Sequence, residues 1–172
     1  MKHLTLEGLV ENLLFAAGEP LAFPKLMQLC DDFPEMSKEN LEHCLQQLMQ
    51  KYQHQAVEFK HLPSGYVIQT RLDYAPWIQK LWLEKPRKYS QAFLEVLAII
   101  AYDQPITRSE IELKRGVAVA PNMIKSLLER EWIEVVGHKD APGKPALYAT
   151  TTQFLDYFNL SSLDELPTTQ VE

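Results

Sequence analysis

Gly137-His138-Lys139-Asp140-Ala141-Pro142-Gly143-Lys144-Pro145 comes nearest to chemistry, because glycine beside lysine is how a chain cradles phosphate. A phosphate loop leaves a strand as G-x-x-x-x-G-K-[ST] and enters a helix, so that backbone donors and the helix dipole converge on the anion. Here Gly143-Lys144 is followed by Pro145, which has no N–H, and then by the strand-like Ala146-Leu147-Tyr148-Ala149-Thr150-Thr151. The stretch therefore reads as a hairpin tip, with Pro142-Gly143 turning the chain and Pro145 tolerated at the start of a strand.

Hydrolysis has no better foothold. Neither G-x-S-x-G nor H-E-x-x-H occurs, and Ser64 belongs to a Pro63-Ser64-Gly65 turn. Asp31-Asp32 are adjacent carboxylates before a proline-containing connection, a solvated arrangement rather than an acid-base pair. His43, His54 and His61 form no ligand motif, and no histidine has a nucleophile beside it. Cys30 and Cys44 fall at apolar helical positions, where a free thiol packs as a small hydrophobe, so neither a disulfide nor a zinc site is expected. No catalytic, cofactor-binding or metal-binding residue is assigned, and no enzyme is expected.

Composition narrows the class. The 172 residues suffice for one ordinary domain or two small ones, and 46% hydrophobic with 23% charged residues can bury a core. A net charge of −6 argues against a uniformly basic nucleic-acid surface while leaving room for a local one. Glu7, Glu11 and Asn12 interrupt the first apolar stretch, which is not a signal peptide, and no window approaches the ~20 apolar residues of a spanning helix. A cytoplasmic protein without membrane contact is expected.

The elements follow one plan twice. Leu6, Leu9, Val10, Leu13, Leu14 and Ala17 make a helical stripe that Gly18 ends, and Leu41, Cys44, Leu45, Leu48, Met49 and Tyr52 repeat that spacing after a Ser37 cap. Between them lies the short apolar piece Leu21–Cys30. Val57 and Phe59 then alternate with Glu58 and Lys60, the chain turns at Pro63-Ser64-Gly65, and Asp73 is placed as the cap of a short helix from Tyr74 to Trp82. After Pro86 the order recurs. A helix closes at Gln104-Pro105, Thr107 and Glu110 have capping-box spacing before a helix closing at Gly116, and Pro121 opens a third. A hairpin around Gly143 and a short helix follow. The expected fold is mainly α (α+β): two tandem winged-helix domains, each a helix-turn-helix with a β-hairpin wing. The boundaries are 1–84, a linker at 85–89, 90–166, and a tail at 167–172.

Winged helices often read DNA with the third helix. Here those helices carry Lys38 and Lys51 against Glu39 and Glu42, and Lys125 and Arg130 against Glu129 and Glu131. The carboxylates oppose the counterion release on which phosphate binding depends. Lys85, Arg87, Lys88, Lys139 and Lys144 could touch a backbone, so DNA contact is expected to be weak or indirect. A DNA-binding transcriptional regulator is the alternative to an assembly module whose surplus aromatics, Trp77, Trp82, Tyr89, Tyr102, Trp132 and Tyr148, meet another protein.

The chain resembles the segregation and condensation protein B family over nearly its whole length. The likeness runs through LLFAAGEPL, SGYVIQTRLDYAPWIQKL, FLEVLAIIAYDQPITRSEIELKRGV, LLEREWIEVVG and PGKPALYATTTQFLDYFNLSSLDELP. Arg115-Gly116-Val117 matches the family's R-G-V, and Gly143, Pro145, Tyr148, Thr150 and Thr151 match its G-R-P-x-L-Y-x-T-T wing. Lys144 stands where arginine is usual, which keeps the charge and loses the bidentate fork. Glu131-Trp132 stands where Gly-Leu is common. The resemblance implies a homodimer formed chiefly through the first domain. It also implies binding to the central part of the kleisin ScpA, and support for ScpA on the heads of an SMC ATPase, which supplies the energy. The role implied is chromosome condensation and partition, at the nucleoid through the complex. The residues expected to meet the partner are Tyr102, Arg115, Trp132, Lys144 and Tyr148. Arg115 is weighed equally as an intramolecular salt bridge, and Gly116 as the end of a helix.

Overall fold

The computed structural model describes residues 4–34, 36–81 and 89–167. Its contacts divide the chain into two compact units, Met1–Lys85 and Pro86–Glu172.

In the first unit, α1 (Leu6–Ala17) begins where Thr5 Oγ1 accepts the Gly8 N–H at 3.1 Å and ends at Gly18, whose φ of 63° is left-handed. After α2 (Phe23–Leu29), α3 (Lys38–Tyr52) starts at Ser37, whose hydroxyl accepts the Asn40 N–H at 3.0 Å. The stripes meet as their periods require: Val10, Leu14, Leu26, Leu41 and Leu48 are fully buried with Cys30, Cys44, Phe59 and Ile68. Burying each such side chain contributes about 1.5–3 kcal/mol. A polar brace joins α1 to α3, with Glu11 accepting from Lys51 Nζ at 2.8 Å and Tyr52 Oη at 2.5 Å. Partial burial works against the Glu11 charge, but these bonds outweigh it and lower the pKa of the carboxyl.

The wing of this unit pairs β1 (Val57–Leu62) with β2 (Gly65–Thr70) in antiparallel register. Leu21, between α1 and α2, exchanges both backbone hydrogen bonds with Tyr66 at 2.9 Å. Gly65 makes that approach possible, because a Cβ there would sit 2.3 Å from the Leu21 carbonyl. A 3-10 turn (Leu72–Tyr74), α4 (Ala75–Ile78) and a second 3-10 turn (Gln79–Leu81) follow, and none of their residues is buried.

In the second unit, α5 (Gln91–Asp103) is capped by Ser90 and reaches β3 (Ile106–Thr107) through a cis Gln104-Pro105 bond. The expected capping box opens α6 (Arg108–Arg115), and Gly116 closes it at φ 70°. Then come α7 (Pro121–Glu129), β4 (Ile133–His138), β5 (Ala146–Thr150) and α8 (Thr152–Tyr157). Val96, Ile100, Ile111, Val119 and Leu127 fill the core with Phe93, Trp132 and Phe154. Ile106 pairs with Tyr148 as Leu21 pairs with Tyr66, and each follows a proline, Pro105 or Pro20. Gln104 Oε1 reinforces the junction by accepting the Thr150 N–H at 2.6 Å and its hydroxyl at 3.0 Å.

Two winged-helix units in a mainly helical chain are therefore present, with several departures in detail. The second wing belongs to a three-stranded sheet, β3-β5-β4, since a strand of two residues has no period to betray it. Asp73 lies inside the 3-10 turn; the cap position of α4 is Tyr74, without a side-chain bond. Ala17 and Met49 are exposed because the ends of their stripes outrun the core they face. Trp82, Lys85, Pro86, Arg87, Lys88, most of the expected linker and the tail beyond Pro167 lie outside the described residues.

Candidate partner-binding surfaces

The five expected partner residues all belong to the second unit, where burial separates them. Trp132 corrects the expectation: it is 4% exposed and lies in the core. Its ring centroid is 4.4 Å from Tyr157, 5.2 Å from Tyr89, 5.2 Å from Phe158 and 6.2 Å from Phe93. The preceding Glu131 has φ 57°, a left-handed turn that brings Trp132 back under α7. That conformation suits glycine better than a residue with a side chain.

Arg115 is also largely withdrawn from solvent. Its side chain is 8% exposed, with Nη2 3.2 Å from Glu95 Oε2 and Nη1 donating to the Ala118 carbonyl at 3.5 Å. Of its two expected roles, the intramolecular one is the one this geometry contains. Lys144, by contrast, is exposed at the wing tip with φ 41°, next to Gly143 at φ 82°. Its amide donates to the Ala141 carbonyl at 2.8 Å, so that donor is turned inward and is not free to cradle an anion. Tyr148 is half-buried in β5, between Ile106 and Val135 of the neighbouring strands.

Tyr102 opens a different surface. It stands at the rim of an apolar cleft of about 280 Å³ walled by α5, α8 and the segment 160–167. Leu97, Ala101 and Phe154 form the floor, while Leu94, Tyr102 and Phe158 reach solvent. Tyr102 Oη donates to the Pro167 carbonyl at 2.5 Å and holds that segment against α5. Such a cleft can seat apolar side chains of a peptide, with the tyrosine as a polar fixture at its edge. Leu94 and Phe158 were not expected here. The signal was present in α5, where Leu94, Ala98 and Tyr102 extend the apolar residues beyond the one stripe a surface helix needs.

The candidate recognition helices offer phosphate little. Lys38 lies 3.7 Å from Glu42, and Lys125 lies 3.6 Å from Glu129. Lys51 is shared by Glu7 and Glu11, and the Arg130 guanidinium stacks 5.1 Å over Tyr89 and 5.5 Å over Trp132. The two exposed lysine pairs are weak and could re-form on DNA, but each carries its carboxylate along. Lys139 is held by Glu110 at 2.5 Å.

No group of three or more histidine, cysteine, aspartate or glutamate residues is placed to hold a metal ion among the described residues. No helix among them is long and apolar enough to cross a membrane.

A family profile described as segregation and condensation complex subunit ScpB matches residues 8–169. A segregation and condensation protein B homolog from Coxiella burnetii is 52% identical over 167 residues, covering 97% of this chain and 80% of that one. Among solved structures, ScpB from Mycobacterium tuberculosis is 30% identical, with a TM-score of 0.40 over 92% of this chain and 99% of that one. A dimer of the ScpB N-terminal domain complexed with ScpA peptide matches with a TM-score of 0.40 and 23% identity, over 49% of this chain and 100% of that one.

Proposed function

The chain belongs to the family of segregation and condensation complex subunit ScpB, and from that premise we propose that it is a non-enzymatic subunit of a condensin-like complex. In this reading it dimerises through its first unit, binds the kleisin ScpA and stabilises ScpA on the SMC ATPase heads. It thereby serves chromosome condensation and partition in the cytoplasm, at the nucleoid. The observation that carries the reading is the family match, which runs through both winged-helix units.

The surfaces agree with an assembly role. The cleft at Tyr102 has an apolar floor and one tyrosine hydroxyl at its edge, as a site for apolar side chains of a peptide would. Tyr102, Lys144 and Tyr148 remain the proposed partner contacts among the expected residues, with Leu94 and Phe158 added to them. Trp132 and Arg115 act through the fold that presents these groups. The transcriptional-regulator reading gains nothing from the internally engaged cations of α3 and α7.

Calorimetric titration with the central segment of ScpA from the same organism tests the proposal, with duplex DNA as the comparison ligand. Saturable binding near two protomers per ScpA, with weak and salt-sensitive DNA binding, is expected. Tight, sequence-selective DNA binding without ScpA binding would replace this function with gene regulation.

A further inference from the structure

The chain leaving α8 turns back across α5 without filling the face it covers. Asn159, at φ 57°, reverses its direction, and the Leu160 N–H closes the helix end on the Leu155 carbonyl at 2.8 Å. Residues 160–167 then make a single 3-10 turn over Leu163–Glu165, in which the Glu165 N–H donates to the Ser162 carbonyl at 3.3 Å and the Leu166 N–H to the Leu163 carbonyl at 3.1 Å. One such turn does not hold itself together in water, so the segment is ordered only while it is docked. Leu160 and Leu166 dock it, each half-buried against the core, and Tyr102 Oη fixes its far end at the Pro167 carbonyl. The packing beneath is open. Protein interiors leave few voids larger than a water molecule, whereas the apolar cleft between this segment and the floor of Leu97, Ala101 and Phe154 measures about 280 Å³. The segment forgoes the dispersion contacts of that space, and the entropy of ordering its backbone works against it.

We infer that residues 160–167 are a displaceable strap that gates the Tyr102 cleft, hinged at Asn159 and latched at Tyr102. The inference deepens the proposed function and rests on it, because the site it regulates is the ScpA surface proposed there. Closed, the strap supplies one wall of the cleft through Leu160, Leu166 and Pro167. Open, it bares the floor to the apolar side chains of the partner. The latch makes the two states exclusive. A tyrosine hydroxyl has one proton to donate, so an acceptor on the partner receives it only after Pro167 has let go. The strap is thus a competitor carried by the chain itself, and the apparent affinity for ScpA is lowered by the fraction of molecules in which it is closed.

Amide hydrogen exchange on the full chain tests the inference, read at Glu165 in the strap and at Ile100 in α5, with and without the central segment of ScpA. Glu165 is expected to exchange at least a hundredfold faster than Ile100 and to be insensitive to dilute urea, as a locally opening segment is. Tyr102→Phe keeps the ring and removes the latch, and should speed Glu165 exchange about three- to tenfold while leaving Ile100 unchanged. Tyr102 is itself a proposed contact, so affinity is read on Leu166→Ala, with circular dichroism to confirm its fold. That variant should speed Glu165 exchange about fivefold and tighten ScpA binding by a similar factor. By reciprocity, saturating ScpA should speed Glu165 exchange in the wild-type chain. Exchange at Glu165 as slow and as urea-dependent as at Ile100 would make the strap an integral part of the unit and overturn the inference. So would ScpA slowing that exchange, since the strap would then clamp the partner instead of competing with it. Faster exchange in Leu166→Ala with unchanged ScpA affinity would overturn the gate and leave ScpA binding intact. Absence of ScpA binding to the wild-type chain and the variant alike would remove the proposed function, and the gate with it.

Discussion

Arg115 Nη2 lies 3.2 Å from Glu95 Oε2, so the last residue of α6 is tied to the solvent side of α5. The arginine is nearly buried while its partner is about half exposed, and Arg115 Nε has no hydrogen-bond partner among the described residues. Arg115→Ala is therefore expected to lower the stability of the second unit by about 1–2 kcal/mol, less than a fully buried charged pair would lose. Urea unfolding checks this. An unchanged midpoint together with weakened ScpA binding would return Arg115 to the partner surface.

Glu110 predicts a pH dependence. Its carboxyl is lowered to about 2, first by the Lys139 hydrogen bond and then by the Thr107 amide and hydroxyl. A carboxylate depressed on folding contributes stability above its unfolded pKa of about 4.3, and the contribution is lost as pH falls from there towards the folded value. Glu110→Gln should be less stable than wild type at pH 7, with the difference shrinking between about pH 4.5 and pH 2. Paired urea titrations at several pH values read it. A gap that persisted unchanged at pH 2 would assign the loss to packing.

Glu131 predicts a gain. Its φ of 57° strains a side chain and costs glycine nothing. Glu131→Gly should raise stability by about 0.5–1 kcal/mol, with the native pairing of Trp132 N–H to the Leu127 carbonyl retained. A higher thermal midpoint is the expected result; a lower one would mean that the carboxylate makes a contact worth more than the backbone strain.

The two thiols predict a reporter. Cys30 and Cys44 are buried in the first unit, and burial first, then the charge of Glu7, pushes the Cys44 thiol up to about 11. Reaction with a disulfide reagent at pH 8 should be at least a hundredfold slower than in urea, because the thiolate is both scarce and covered. Fast labelling of the native chain would show that the α1 and α3 pair opens readily.

Helix ends were legible because capping is local. Ser37, the Thr107 and Glu110 box, Gly18 and Gly116 act within four residues, and each stands where its type required. The wings were legible from alternation and turn residues. Exposure was not, since Trp77 and Trp132 both follow helical or turn segments and only tertiary packing buries one and strands the other. The cleft at Tyr102 was half legible. Tyr102 itself was singled out, but Leu94 and Phe158 come from α5 and the end of α8, and no local pattern joins them.

The matched pairings of Leu21 with Tyr66 and Ile106 with Tyr148 staple the elbow between the first two helices of each unit to the return strand of its wing. Each wing is thereby a lever with its fulcrum inside the helix-turn-helix. A binding partner that grips a hairpin tip pulls through two backbone hydrogen bonds in the first unit, and through the β3 ladder in the second, on the element that orients the second helix. Load applied at the wing is transmitted to the helices as torque, so the angle between the first two helices of each unit answers to the position of its hairpin tip.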